Sequence, residues 1–318
     1  MEQIKTQPRS VGENLDKTFR LTKAHFKSYF LILLLLMGPG FLINYIFLFL
    51  GGASFFQGDS SGGFMQTLNT TAESTGVQQF VLESMGSGAE FLYIALTTIA
   101  AAVLIPMAHA AILIGTTRGL KNESWSVSEV IKLAFSRFWP LFGSTLLFGL
   151  LMGIFVFIGV FAILIGGFGT VTTGSGAVSV VMIIFILIAF LILGAYFAIK
   201  LGMYFAATTF EKVAPGFSRS WKLTKGRFWA TFGFFIVLGV INLLVIFLFD
   251  GVSSLLLGTS VLSTVLMNIS TIITTMVLMV GYAVKYADLR TRNEASDLQD
   301  MISSYKTDEE PAASSTDQ

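Results

Sequence analysis

The side chains that could do chemistry are few. The chain has two histidines, His25 and His109, and no cysteine. Metal centres gather His, Cys, Asp or Glu at short spacing, and neither histidine has a carboxylate or a second histidine close by in sequence. No HExxH zinc motif and no GxxxxGK[ST] phosphate loop occurs. The glycine-rich GGFGTVTTGSG of Gly166–Gly176 lacks the lysine of a phosphate cradle and reads as a hairpin loop. No catalytic residue, cofactor or metal ligand is assigned, and an enzyme is not expected.

What remains are polar groups inside apolar runs and basic groups beside them. Asn44, His109, Asn242 and Asn268 sit within long hydrophobic stretches, where a polar group costs free energy unless it finds a partner. Their expected use is hydrogen bonding between helices. Pro39 and Pro106 mark kinks in the same stretches. Lys200 and Lys285 fall at the ends of such stretches and are expected to extend their ammonium groups to the membrane edge. Gly149 with Gly153, and Gly194 with Ala198 and Gly202, read as small-residue contacts between helices. Arg20, Lys23, Lys132, Arg137, Arg219, Lys222, Lys225 and Arg227 are candidate contacts for anionic lipid headgroups.

Those eight basic residues belong to one repeated phrase. Residues 11–30 aligned without gaps on 213–232 share Val11/Val213, Leu21/Leu223, Thr22/Thr224, Lys23/Lys225, Phe26/Phe228 and Phe30/Phe232. A weaker third copy runs from Val127 to Phe142, where Arg137-Phe138-Trp139 matches Arg227-Phe228-Trp229. In the first copy Leu15, Phe19, Thr22, Phe26 and Tyr29 recur at helical spacing and make one mostly apolar face. All four tryptophans, Trp125, Trp139, Trp221 and Trp229, fall in or beside the other two copies; their rings favour the headgroup level of a membrane.

Each copy stands just before a hydrophobic run. Six runs are long enough to span a bilayer: Phe30–Leu50, Phe91–Gly115, Leu141–Gly166, Val178–Ile199, Phe228–Phe249 and Leu262–Val284. As a helix the first is about 31 Å long, the thickness of the hydrocarbon core. Composition agrees: 12% of residues are charged and 54% hydrophobic, whereas a soluble domain is roughly a quarter charged. The expected fold is all-α and polytopic. It has six transmembrane helices in three units, about 11–118, 125–210 and 213–292, each an amphipathic elbow helix followed by a two-helix hairpin. Three units in one orientation imply a rough threefold axis along the membrane normal. The membrane domain is expected to occupy residues 1–298, and the acidic tail 299–318 is expected to be disordered.

Charge sets the orientation. The stretches 51–90, 167–177 and 250–261 contain no Lys or Arg, so all 20 basic residues lie on the opposite side or at its edge. Positive charge is retained in the cytoplasm, which predicts a membrane protein with both termini cytoplasmic. Residues 1–29 hold six of the basic residues and no apolar core of a cleaved signal, so the first run is expected to stay as a helix. In the outer stretch, Phe80, Val81, Glu83 and Met85 predict a short amphipathic turn before the second span.

The phrase FEKVAPGFSRSWKLTKGRFW, the closing YADLRTRNEASDL (Tyr286–Leu298) and the opening VGENLDKTFRLTKAHF resemble the bacterial glycerophosphoryl diester phosphodiesterase membrane-domain family. The resemblance extends over essentially the whole chain through short motifs. In proteins of that family such a membrane region is fused to a soluble phosphodiesterase barrel that carries the chemistry. A catalytic domain needs 50–250 residues, and the longest polar stretches here are the outer stretch 51–90 and a short tail, so the barrel is expected to be absent. The resemblance therefore implies a module of the bacterial cell membrane without phosphodiesterase residues.

The functional expectation is a non-enzymatic integral membrane protein that interacts with lipid, docks an unknown protein partner or serves under membrane stress. The alternative is a transporter or facilitator of a lipid-like or small amphipathic substrate. No Asp, Glu, Lys or Arg sits at the centre of a span, unlike the sites of many ion-coupled carriers. Anionic membrane lipids are the expected partners; nucleic acid is not. One acid stands out in the basic layer: Asp288 is expected to reach Arg20 or Arg219 of an elbow and tie the last unit to a neighbour.

Overall fold

Ser10 begins the first helix. Its hydroxyl accepts from the Glu13 N–H at 3.2 Å and its own N–H donates to the Glu13 carboxylate at 2.6 Å. This reciprocal cap satisfies two amides that no helical turn can reach, and α1 runs from Val11 to Ala24. The computed structural model describes residues 9–56, 73–173, 176–211, 213–257 and 260–309. Past His25 the chain continues as α2 (Phe26–Leu50), then α3 (Glu73–Met85), α4 (Ser87–Leu120), α5 (Val127–Phe135) and α6 (Phe138–Thr173). The remainder is α7 (Gly176–Gly202), α8 (Tyr204–Glu211), α9 (Phe217–Leu223), α10 (Phe228–Leu257) and α11 (Val261–Glu309). There is no strand among the described residues.

Six helical stretches are long and apolar enough to cross a membrane: Phe26–Leu50, Ser87–Leu120, Phe138–Ile165, Val181–Glu211, Phe228–Ser253 and Val261–Ala295. They fall on the six runs expected from sequence. The chain is a multi-pass helical membrane protein. Its outward-facing residues agree, since large apolar side chains such as Leu150, Phe157, Phe185 and Ile192 stand exposed on α6 and α7. In water such a surface would be unstable; against lipid tails it costs nothing.

Besides α3, which precedes α4, short helices that carry the basic residues precede three of the spans, α1 before α2, α5 before α6 and α9 before α10. A break separates each pair. Between α9 and α10 the turn 224–227 contains Gly226 at φ +72°, a left-handed conformation that glycine adopts without strain. Consecutive spans pack as hairpins: α2 on α4, α6 on α7 and α10 on α11. The short helices lean elsewhere. Helix α5 packs on α4 and α2, α9 packs on α7 and α8, and α1 packs chiefly on α11 and α10.

The main core gathers at the end of the bundle where the short helices lie. Tyr29, Ile32, Leu33, Met107, Ile112, Leu141, Met203 and Met276 are fully enclosed there. Gly281 shows how close the approach is: a methyl group at that position would meet Leu238 at 2.6 Å and Thr18 at 3.3 Å. A smaller cluster of Phe47, Leu48, Val77, Val81, Tyr93 and Val261 closes the opposite end.

Four expectations change. Phe80, Val81, Glu83 and Met85 belong to a full helix, α3, rather than a turn, and residues 57–72 of that outer stretch lie outside the described residues. The Gly166–Gly176 hairpin is largely helical, because α6 runs to Thr173 and α7 starts at Gly176. Helix α11 continues to Glu309, into the tail expected to lose structure at 299; residues 310–318 lie outside the described set. Gly149 and Gly153 face open space within the chain, so they make no helix contact here, whereas Gly194 does, against Phe155.

Candidate functional site

The basic end of the bundle concentrates buried polar chemistry. Asp288, on α11, is 4% exposed. Its carboxylate accepts from the Arg9 backbone N–H at 3.0 Å, the Asn14 side chain at 3.3 Å and Arg292 at 3.1 Å, and pairs with Lys285 at 3.4 Å. Arg292 returns to donate to the Arg9 carbonyl at 2.6 Å. The network clamps the start of α1 onto α11. Asp288 thus ties α11 to the first short helix, and its partners are not Arg20 or Arg219. Arg20 is exposed, and Arg219 pairs with Glu211 at 2.6 Å while donating to Asn293 at 3.1 Å. The acid finds closer partners on its own helix, one turn away, and a backbone amide that carries no charge signal in sequence.

A second polar cluster surrounds an interruption between α7 and α8. Met203 N–H donates to the Ser220 hydroxyl at 3.0 Å, and that hydroxyl donates to the Lys200 carbonyl at 2.7 Å. Tyr282 repairs the next gap from α11, accepting from Ala206 N–H and donating to the Gly202 carbonyl. Each hydroxyl replaces bonds that a continuous helix would make itself. Lys200 is buried rather than extended to the membrane edge, and so is Lys285. The Lys200 ammonium donates to the Thr224 carbonyl at 3.3 Å and lies 5.3 Å from the Trp221 ring and 5.9 Å from Tyr196. That of Lys285 lies 5.8 Å from the Phe234 ring. Rings and carbonyls offset the cost of enclosing these charges.

The eight headgroup candidates divide in two. Arg20, Lys23, Lys132, Lys222, Lys225 and Arg227 are exposed, and none forms a salt bridge among the described residues. Arg137 and Arg219 are partly buried and engaged, Arg137 donating to the Thr208 carbonyl at 3.3 Å. Among residues outside this set, Arg118 pairs with Glu129 at 2.6 Å and holds α5 against the end of α4. The hydrogen bond from Arg118 keeps the Glu129 carboxyl below its ordinary value.

The four intramembrane candidates are not brought together. Asn44 accepts from the Tyr93 hydroxyl at 3.0 Å, joining α2 to α4, and Asn268 donates to the Tyr45 hydroxyl at 2.7 Å, joining α11 to α2. Asn242 donates to the Leu238 carbonyl of its own helix at 2.8 Å and joins no second helix among the described residues. His109 sets its ring edge-on to Phe205. No group of three or more His, Asp or Glu side chains stands close enough to hold a metal among the described residues. The spelling GDSSG at Gly58–Gly62 has nucleophile-elbow spacing but lies outside the described residues. That motif works at a strand-to-helix turn, and the described elements flanking it are the helices α2 and α3.

A cavity of about 460 Å³ opens beside these networks. Its walls come from the end of α4 (Thr117, Leu120, Lys121), from Phe210 of α8, from α11 between Tyr286 and Glu294, and from Arg9. Sequence gave no sign of it, because its lining is scattered over four segments. Comparison with protein-family models, with curated proteins and with solved structures gives no match.

Proposed function

We propose that this chain is a non-enzymatic membrane protein that gathers anionic lipid headgroups on its basic face, with both termini in the cytoplasm of a bacterial cell. One observation carries the reading. On the short helices and the breaks after them, exposed cations and exposed aromatic rings lie close together along the sequence. Arg20 neighbours Phe19, Lys132 neighbours Phe135 and Trp139, and Lys222, Lys225 and Arg227 neighbour Trp221 and Trp229. Trp139 and Trp229 are 77% and 78% exposed. Rings of this kind favour the headgroup layer, and each cation near an anionic leaflet contributes about 1 kcal/mol.

The three-unit architecture belongs to the same proposal. In cyclic order each short helix packs on the hairpin of the preceding unit: α5 on α2 and α4, α9 on α7 and α8, α1 on α10 and α11. The equivalent positions Thr18 and Ser220 are both buried, each in one of these contacts. Such an arrangement supports three elbows at one level of the membrane. The motif resemblance supports kinship with the membrane-domain family named above.

Reconstitution tests the lipid reading. The full chain is placed in vesicles containing brominated phosphatidylglycerol or brominated phosphatidylcholine at equal mole fraction, and tryptophan quenching is measured. Stronger quenching by the anionic lipid is expected, and replacing the six exposed cations by glutamine should remove the difference. Equal quenching by both lipids in the unmodified chain would overturn the reading.

A further inference from the structure

We propose that the cavity between α4, α8 and α11 is a binding site for a phosphate monoester carrying a small apolar group. This goes beyond the lipid reading and does not rest on it. Its volume, about 460 Å³, lies within the range of small-molecule pockets and is more than a bare inorganic anion would fill. The charge of the lining identifies the ligand's polar end. Three of its five ionic side chains are paired within the protein, Asp288 with Lys285 and Arg292, and Arg290 with Glu294 at 2.7 Å. That leaves the side chains of Arg9 and Lys121, which form no salt bridge among the described residues.

Two uncompensated cations at one cavity match a dianion. A phosphate monoester carries about −1.5 to −2 charges at neutral pH, and its oxygens fit both the fork of a guanidinium and the point charge of an ammonium. The backbone of Arg9 is pinned by Asp288 and Arg292, so this side chain projects from a fixed point. Apolar side chains share the lining. Phe210 stacks on Tyr286 with ring centroids 5.8 Å apart, and Leu120 stands across from α11 in the same lining. The tyrosine hydroxyl is held by Glu211 at 2.7 Å, which keeps the ring in place. The cavity therefore offers both cationic groups and a flat apolar surface to one ligand.

A soluble aryl or alkyl phosphate and a phosphatidic acid headgroup share this chemistry, and titration calorimetry on the full chain in detergent separates them. The probes are phenyl phosphate, dihexanoyl phosphatidic acid and, as an uncharged control, benzyl alcohol. Saturable binding of phenyl phosphate would support a soluble ligand. Binding of the phosphatidic acid alone would support a lipid headgroup. In either case Arg9→Gln with Lys121→Gln should weaken binding at least tenfold, and benzyl alcohol should bind at least tenfold more weakly than the phosphate. Ala287→Phe, which places a ring in the cavity and leaves every charge intact, should abolish binding and serves if the double variant does not fold. Absence of saturable binding by both phosphates, or undiminished binding by these variants, would overturn the proposal.

Discussion

Tyr282 places its hydroxyl between the two backbone groups that a continuous helix would have joined, donating to the Gly202 carbonyl at 2.7 Å and accepting from the Ala206 N–H at 3.1 Å. The relationship couples α11 to the seam between α7 and α8. Removing the hydroxyl leaves a buried donor and acceptor facing each other across a gap they cannot close. An unsatisfied buried group costs about 1–3 kcal/mol. Tyr282→Phe should lower the thermal midpoint of the purified chain correspondingly. A variant as stable as the parent would mean that the seam closes into regular helix without it.

Asp288 should be the more sensitive position. Its carboxylate compensates Lys285, which is only 3% exposed, and it also anchors Arg9 and Asn14. Breaking a buried pair by removing one partner costs about 3–5 kcal/mol, since the remaining charge stays enclosed. Asp288→Ala should destabilise by that order in a denaturation series. Lys285→Met in the same background should recover part of the loss, because the stranded ammonium is gone. Arg20→Gln, at an exposed residue off this network, should stay within about 0.5 kcal/mol of the parent. Additive losses for Asp288 and Lys285 would show that the two do not act as a pair.

These networks mark the boundary of what could be read beforehand. The six spans were legible because a bilayer demands long charge-free runs, and Phe30–Leu50 can be nothing else. The short helices α1, α5 and α9 fall on the three copies of the repeated phrase, whereas their serine caps, Ser10 and Ser126, went unread. Asp288 was legible as an anomaly, an acid in a basic layer, but its partners were not. A backbone amide near the opposite end of the chain and the amide side chain of Asn14 leave no charge pattern to follow. The seam at Gly202–Tyr204 contains no proline, and its bridging hydroxyls come from Ser220 and Tyr282, far along the chain. Lys200 and Lys285 looked free to extend, because sequence does not show which rings will close over them.

The proposed cytoplasmic placement of the basic face is tested by accessibility. With no native cysteine, single replacements report cleanly. Ser87 and Ser124 are both exposed and flank opposite ends of α4. An impermeant thiol reagent should label Ser87→Cys in intact cells, and label Ser124→Cys only after the membrane is opened. The reverse pattern would invert the protein in the bilayer and remove the case for headgroup contacts on the cytoplasmic leaflet.

The last prediction concerns acid. Helix α5 is pinned to the end of α4 partly by Arg118 and Glu129, 2.6 Å apart. The hydrogen bond from Arg118 holds the Glu129 carboxyl below its ordinary value of 4.5. A carboxyl depressed on folding contributes stability that is fully present above its unfolded value and is lost as pH falls through the folded one. The window therefore lies below about pH 4.5, and nothing should change between pH 6 and 8 from this pair. Trp125 is the reporter, because its ring packs over Gly115 of α4 and stacks on Tyr29 at 5.5 Å. Its environment should loosen on the acid side in the parent. In Glu129→Gln, which has no carboxylate to take up a proton, the Trp125 contribution to the emission change below pH 4.5 should flatten. The other tryptophans are separated from it by comparison with a Trp125→Phe chain. An unaltered acid transition in the glutamine variant would show that this exposed pair does not hold α5 in place.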